Sequence, residues 1–226
     1  MPWLLAARVC SSTAGTKIAA SRSSPRSARR AATAEVVLGE LGDPLAFRSL
    51  ARRAVELGYG HVDILVNNAS LFPIGGLTLA TPVDDIDAAF AVNVRTPFLL
   101  VAELAPAMAA RGHGAIVNVL STAGELGIAG LGLYGATKAR PGPADPIMGR
   151  RVRPIRGPGE RHQPRPHQHT RDRYDHGIHR ADRRSSTSGA GRCPDEIAAA
   201  ISYLAGPGAS FVQGAVLAVD GGRTAV

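Results

Sequence analysis

The sequence has only two cysteines, few aromatic residues and no long apolar run. Cys10 and Cys193 are far apart and in no metal-binding spacing, so we expect neither a disulfide framework nor a cysteine-based metal site. This cysteine usage points to a reducing compartment, and we expect a cytoplasmic protein. No apolar run reaches the roughly 20 residues of a membrane-spanning helix, and the first ten residues lack the basic start of a signal peptide.

The scarcity of aromatic residues also limits how a core can be built. Aromatic residues make up 4% of the chain, whereas hydrophobic residues make up 45%. The core volume must therefore come mostly from Ala, Val, Leu and Ile. A chain of 226 residues is long enough to bury such a core, and we expect a single domain spanning 1–226.

The positive charge of the chain is concentrated in one segment. The formal net charge is +8, but residues 140–192 carry about half of all Lys and Arg residues, and these are Arg. Pro, Gly and His are frequent there and no apolar periodicity continues, so the segment lacks the apolar surface that would offset the entropy of ordering. A GC-rich gene read out of frame gives such a composition. We therefore hypothesise a compensated frameshift over this segment.

Two other interpretations of the Arg-rich segment, nucleic-acid binding and metal binding, can be weighed against its composition. Arg-rich chains bind phosphate through charge alone, but only Tyr174 is present there for base stacking, which argues against nucleic acid as a partner. The histidines of the segment follow no fixed metal-ligand spacing, so we predict no metal site. These histidines are at positions 162, 167, 169, 176 and 179.

The residues that indicate chemistry lie between 115 and 138. AIVNVL is a β-branched apolar run typical of a buried strand, so Ser121 comes just past the carboxyl end of a strand. Tyr134 and Lys138 are four residues apart, which places them on one face of a helix. An ammonium close to a phenol favours the phenolate, and such a tyrosine can exchange a proton with a substrate oxygen. Ser121 could donate a hydrogen bond to the same oxygen.

This pattern resembles that of the classical short-chain dehydrogenase/reductases, whose signature is Tyr-x-x-x-Lys with a serine thirteen residues before the tyrosine. A second motif supports the resemblance. After the apolar run 62–66 come Asn67, Asn68 and Ala69, which match the family's Asn-Asn-Ala-Gly motif, although Ser70 replaces the glycine. The resemblance covers 35–138 and 193–222 of the chain.

The resemblance implies an α/β fold with a Rossmann-type doubly wound parallel sheet. It also implies hydride transfer between NAD or NADP and a small-molecule alcohol or carbonyl substrate, by a homo-oligomeric enzyme. By the same resemblance, Tyr134 is the general acid/base and Ser121 binds the carbonyl oxygen. Lys138 assists Tyr134 and holds the nicotinamide ribose, and Asn93 supports the proton relay.

The resemblance further assigns cofactor contacts. Asn67, Asn68 and Ala69 border the cofactor at the end of a strand, together with Tyr134 and Lys138. The run EVVLGE reads as a strand that ends at Glu40, where the family has an acidic residue that contacts the adenine.

The amino-terminal region departs from the family pattern. In the family, Thr-Gly-x-x-x-Gly-x-Gly follows the first strand, and its backbone N–H groups meet the pyrophosphate. Here Thr13 and Gly15 follow the strand-like run LLAARV, and only one of the expected glycines is present. We therefore expect a fold that is incomplete or disordered at 1–34 and 140–192. A non-catalytic family member without the cofactor loop is the alternative function.

Several secondary-structure elements can be predicted along the chain. Asp43 and Pro44 predict a helix start, since Asp is a good N-cap and Pro suits the first turn. Residues 81–114 predict a long amphipathic helix, Phe211–Val219 predicts the last strand, and Pro141 predicts an early end of the helix that carries Tyr134.

Overall fold

The structure is a computed structural model that describes residues 3–8, 17–22, 33–72, 78–139, 178–180 and 194–225. The strands are β1 Trp3–Arg8, β2 Lys17–Arg22, β3 Thr33–Leu38, β4 Ile64–Asn67, β5 Ala115–Ser121 and β6 Ile178–Arg180. The α-helices are α1 Ala46–Leu57, α2 Val83–Phe90, α3 Thr96–Arg111, α4 Gly132–Lys138 and α5 Pro194–Ala205.

The strands form one sheet in the order β3-β2-β1-β4-β5-β6, which is the strand order of a Rossmann fold. Strands β1, β4, β5 and β6 are parallel to one another, as predicted. Strand β2, however, is antiparallel to both β1 and β3, which the prediction of a parallel sheet did not include. The connection 9–16 between β1 and β2 is shorter than the dozen or more residues that a parallel crossover needs.

Three strands lie in the ranges that were expected to be incomplete or disordered. Strands β1 and β2 fall within 1–34, and β6 falls within 140–192. Each of these short strands pairs with a neighbour in the sheet, and the expectation that 1–34 and 140–192 are incomplete or disordered stays a prediction. Most of the Arg-rich segment, together with Thr13 and Gly15, lies outside the described residues.

Helices cover both faces of the sheet. Leu65 of β4 and Ile116 of β5 pack with α1 and α3 in one buried cluster. The next residue of each strand, Val66 and Val117, packs with Leu204 of α5 in a second cluster. Because successive side chains of a strand point to opposite faces, this alternation gives a three-layer α/β/α arrangement.

A change of helix type separates α2 from α3. Residues Ala91–Arg95 form a π-helical segment, so the predicted long helix runs from Val83 to Arg111 with one widened turn. Pro97 explains the widening, because it has no N–H to donate to the carbonyl of Asn93 four residues earlier. By length and composition Val83–Arg111 passes as a membrane span, but half of its apolar window is buried inside the protein, as in any core helix.

The start of α1 and the expected last strand differ from the predictions. Helix α1 begins at Ala46, and the Asp43 carboxylate accepts the main-chain N–H of Leu45 at 2.8 Å in the turn before the helix. The prediction of a last strand at 211–219 was wrong, because only Leu217 forms a single β-bridge there. Val219 still packs against the second buried cluster, so the segment keeps its apolar contacts without pairing as a strand.

Candidate active site

Ser121 is the last residue of β5, at the carboxyl edge of the sheet. It is buried, and its hydroxyl oxygen accepts the main-chain N–H of Ala123 at 3.2 Å. This hydrogen bond starts the 3₁₀ turn Thr122–Gly124. Ser121 therefore lies where ligands bind in sheets of this strand order.

Two glycines allow the turn after Ser121 to lie directly against α4. A Cβ on Gly135 would overlap the carbonyl oxygen of Ala123, and a Cβ on Gly124 would overlap the carbonyl oxygen of Lys138. Both obstacles are main-chain atoms that cannot swing aside. The backbone of α4 thus approaches the Ser121 turn as closely as it does only because neither position carries a side chain.

Helix α4 carries Tyr134 and Lys138, and it ends at Lys138, as the prediction of an early helix end required. Lys138 is 6% exposed, and its ammonium donates a hydrogen bond of 3.1 Å to the carbonyl of Val119 on β5. The same Nζ lies 6.0 Å from the centroid of the Tyr134 ring. A buried ammonium is costly unless it is hydrogen-bonded, so this contact with β5 fixes the cation near the tyrosine.

The side chain of Asn93 projects from the π-helical segment and is buried. Its Oδ1 accepts the main-chain N–H of Leu71 at 2.7 Å, and its Nδ2 donates to the Leu71 carbonyl at 2.9 Å. The same Nδ2 also donates to the Thr137 hydroxyl at 2.9 Å, so both amide hydrogens are engaged. Thr137 in turn donates to the main-chain carbonyl of Tyr134 at 2.8 Å.

Asn93 therefore links the loop after β4 to the helix that carries Tyr134. The sequence pattern did not identify Thr137, which is buried in the middle of this link. Its position just before Lys138 carries no signal of its own, because the partner is 44 residues away in the chain. Thr137 is thus a residue of the site that only the structure reveals.

Phe72 is a second residue that the sequence did not point to. Its ring packs edge to face on the ring of Tyr134, with centroids 4.7 Å apart and an angle of 66° between the planes. Phe72 is 48% exposed, so part of its ring faces the surroundings of the tyrosine. Phe72 lies in the loop after β4 and Tyr134 lies on α4, and the side chain of Asn93 hydrogen-bonds to both elements.

The residues expected to border the cofactor lie at the end of β4. Asn67 is buried and donates its amide to the Asn118 side chain at 2.8 Å, which joins β4 to β5. Asn68 is partly exposed, and its main-chain N–H donates to the carbonyl of Val66 at 3.1 Å. Ala69 is buried in the cluster with α1 and α3, so its side chain serves the core.

Glu40 is not brought to this group of residues. It follows β3, which the sheet order separates from β4 by β2 and β1. Glu40 is exposed, and its carboxylate accepts the main-chain N–H of Gly42 at 3.4 Å. Within the described parts of the chain, no group of three or more His, Cys, Asp and Glu side chains could hold a metal ion.

The arrangement combines three kinds of polar group at one edge of the sheet. A hydroxyl lies on the last residue of β5, a partly exposed phenol lies on α4, and a buried ammonium lies on the next turn of the same helix. A hydroxyl and a phenol can both hydrogen-bond to one substrate oxygen, and the ammonium lies near the phenol ring. This set suits proton transfer to or from an oxygen atom.

Comparison with protein families gives a match to a family described as short chain dehydrogenase, over residues 8–140. The match begins earlier than the resemblance seen in the motifs. It ends at residue 140, where the Arg-rich segment begins.

Two curated relatives illustrate the similarity. An oxidoreductase of Mycobacterium tuberculosis is 31% identical over 221 residues, which cover 84% of this chain and 73% of the relative. A sorbitol dehydrogenase of Cereibacter sphaeroides is 42% identical over 94 residues, or 40% of this chain and 36% of the relative. The chain spans about a third of the length of this relative and of two others that it matches.

Solved structures share the fold. A short-chain dehydrogenase/reductase from Serratia marcescens superposes with a TM-score of 0.63 at 30% identity, covering 83% of this chain and 77% of the other. A gluconate 5-dehydrogenase from Burkholderia cenocepacia, in complex with NADP and tartrate, gives a TM-score of 0.60 at 25% identity. That comparison covers 82% of this chain and 73% of the other.

Proposed function

Because the chain belongs to the short-chain dehydrogenase/reductase family, we propose that it catalyses reversible hydride transfer between NAD or NADP and an alcohol/carbonyl pair. The observation that carries the proposal is the approach of α4 to the turn after Ser121. It brings the backbone of α4, which carries Tyr134 and Lys138, against the turn that follows Ser121, and the Lys138 ammonium against β5.

The cofactor of this family is NAD or NADP, in line with the NADP-bound neighbour. The described residues fit the nicotinamide end, because hydroxyl, phenol and ammonium groups are hydrogen-bonding partners for ribose hydroxyls. Tyr134 and Lys138 would hold that end, and Asn67, Asn68 and Ala69 would border it. When bound, the nicotinamide supplies or accepts the hydride.

In this mechanism Tyr134 moves the proton. Its hydroxyl donates the proton to the carbonyl oxygen during reduction and becomes a phenolate, and in oxidation the phenolate takes the proton from the alcohol and becomes the hydroxyl again. The hydroxyl of Ser121 donates a hydrogen bond to the same oxygen and stabilises the charge that develops there. The ammonium of Lys138, 6.0 Å from the centroid of the Tyr134 ring, would hold the nicotinamide ribose.

Asn93 is best described as a positioning residue. The family resemblance assigns it to a proton relay, but both hydrogens of its amide are bonded to Leu71 and Thr137. These hydrogen bonds support a role in fixing Tyr134 relative to the loop after β4.

Glu40 is exposed and follows β3. By the family resemblance, we propose that its carboxylate contacts the adenine of the cofactor.

We also propose that the protein is a cytoplasmic homo-oligomer. A stripe of large apolar side chains lies exposed along the helical run 83–98 at intervals of four residues. These residues are Ile86, Phe90, Val94 and Phe98, with exposed fractions between 37% and 52%. Since such side chains recur on one side of the helix, they support a helix-to-helix contact between two copies.

A non-catalytic role is the second candidate, and the direction of β2 favours it. The short connection 9–16 leaves no room for the strand, helix and strand crossover whose helix N-terminus would meet the pyrophosphate. A chain that keeps the fold but does not bind the dinucleotide would have this geometry.

Calorimetric titration of the purified full chain with NADH and with NADPH separates the two candidates. Saturable micromolar binding of either dinucleotide is the result expected for the oxidoreductase. If neither dinucleotide binds to protein that is folded by circular dichroism, the enzymatic proposal fails and the non-catalytic role stands.

A further inference from the structure

Phe72 places an aromatic surface beside the proposed acid/base. The centroids of the Phe72 and Tyr134 rings are 4.7 Å apart, and nearly half of Phe72 is exposed. The ring is therefore shared between a contact with the tyrosine and a surface that another molecule can cover.

The backbone that carries Phe72 is held firmly. The preceding residue, Leu71, has both its N–H and its carbonyl bonded to the side chain of Asn93, at 2.7 and 2.9 Å. Because Asn93 is itself buried in the helix core, the loop cannot shift without breaking two hydrogen bonds. The Leu71 N–H is thus already donated, so it offers no hydrogen bond to the hydroxyl groups of a substrate.

A substrate oxygen bound to the Tyr134 hydroxyl brings the neighbouring substituent close to this ring. An apolar substituent gains by covering the exposed part of Phe72, and an aryl group gains additionally from ring-to-ring contact. A hydroxylated substituent would lose its water against this ring, which offers it no hydrogen bond.

We propose that Phe72 forms one wall of the substrate site and selects alcohols and ketones that carry an aryl or alkyl group next to the reacting carbon. This inference rests on the proposed function and deepens it. The proposed substrate selectivity differs from that of the sorbitol dehydrogenase relative, whose substrate by name is a polyol.

Ligand-observed NMR titration tests the proposal without relying on turnover. The probes are 1-phenylethanol and sorbitol, added to the full chain with saturating NADH, since an alcohol does not react with the reduced cofactor. We expect 1-phenylethanol to bind at least about tenfold more tightly than sorbitol. Phe72→Ala should weaken 1-phenylethanol binding about tenfold and leave sorbitol binding unchanged, and Phe72→Leu should weaken it less.

The matched control is Phe211→Ala, which removes an equally large ring that is 95% exposed near the carboxyl terminus. It should bind both alcohols as the unaltered chain does. Equal 1-phenylethanol affinity in Phe72→Ala and the unaltered chain, or tighter binding of sorbitol, overturns the proposal. If NADH and NADPH fail to bind at all while 1-phenylethanol binding still depends on Phe72, the proposed redox function falls and the aryl site stands.

Discussion

The side-chain amide of Asn93 donates a hydrogen bond to the hydroxyl of Thr137 across 2.9 Å, although 44 residues separate them in the chain. The Thr137 hydroxyl in turn donates a hydrogen bond to the main-chain carbonyl of Tyr134, so this one hydroxyl joins the π-helical segment to α4. The position of the proposed acid/base thus depends on residues that do not touch the reacting atoms.

Removing the Thr137 hydroxyl should destabilise the fold. Thr137→Val keeps the shape but leaves a buried N–H of Asn93 without its acceptor, which costs about 1–3 kcal/mol of unfolding free energy. Thr137→Ser keeps the hydroxyl and should lose less. Urea unfolding followed by circular dichroism measures both variants. Equal stability of the two would show that the hydroxyl link contributes nothing.

Gly135→Ala should push α4 away from the turn after Ser121. Alanine usually stabilises a helix relative to glycine by about 1 kcal/mol, but here its methyl group meets the carbonyl oxygen of Ala123. We expect a net loss of about 1–3 kcal/mol and slower carbonyl reduction. Gly127→Ala is the control, because a Cβ there meets nothing within 4 Å. If both variants behave alike in unfolding and turnover, the close approach is not needed.

The Asn67 and Asn118 side chains should be energetically coupled. Each is buried, and they share a hydrogen bond of 2.8 Å between β4 and β5. Asn67→Leu or Asn118→Leu alone leaves a buried amide unpaired and should cost about 1–3 kcal/mol. The double variant should cost less than the sum by at least about 0.5 kcal/mol. Strict additivity in urea unfolding would mean that the amide pair contributes no stability.

Phe98→Glu should break the proposed contact between copies. Phe98 is 52% exposed at the end of the apolar stripe, and a carboxylate there would be desolvated in an interface. Light scattering after size-exclusion chromatography should show an oligomer for the unaltered chain and a monomer for the variant. Phe211→Glu is the control, because this ring is 95% exposed and lies outside the stripe. A monomeric unaltered chain at the same concentration would contradict the proposal.

The sequence predicted the parts of the site that depend on local pattern. Ser121 follows a buried apolar run, and Tyr134 and Lys138 are four apart, so short-range rules place them at a strand end and on a helix face. Pro141 predicts that α4 ends early. Each of these statements needs only neighbouring residues, and the structure has the elements where the pattern puts them.

The contacts that position the site could not be predicted in this way. Phe72 meets Tyr134 and Asn93 meets Thr137 through the packing of distant elements, and neither pair has a periodicity that reveals it. The sequence motifs do not indicate that β2 is antiparallel. The length of the connection 9–16 does indicate it, because a parallel crossover needs a dozen or more residues.

The most direct test of the account is Tyr134→Phe, which removes the phenol hydroxyl and keeps the ring against Phe72. With a saturating carbonyl substrate, the rate of NADH or NADPH oxidation should fall at least about 100-fold, while dinucleotide affinity stays within about threefold. Tyr203→Phe, on the exposed side of α5, should leave the rate unchanged. A Tyr134→Phe variant that keeps the full rate would contradict the assignment of the proton transfer to this residue.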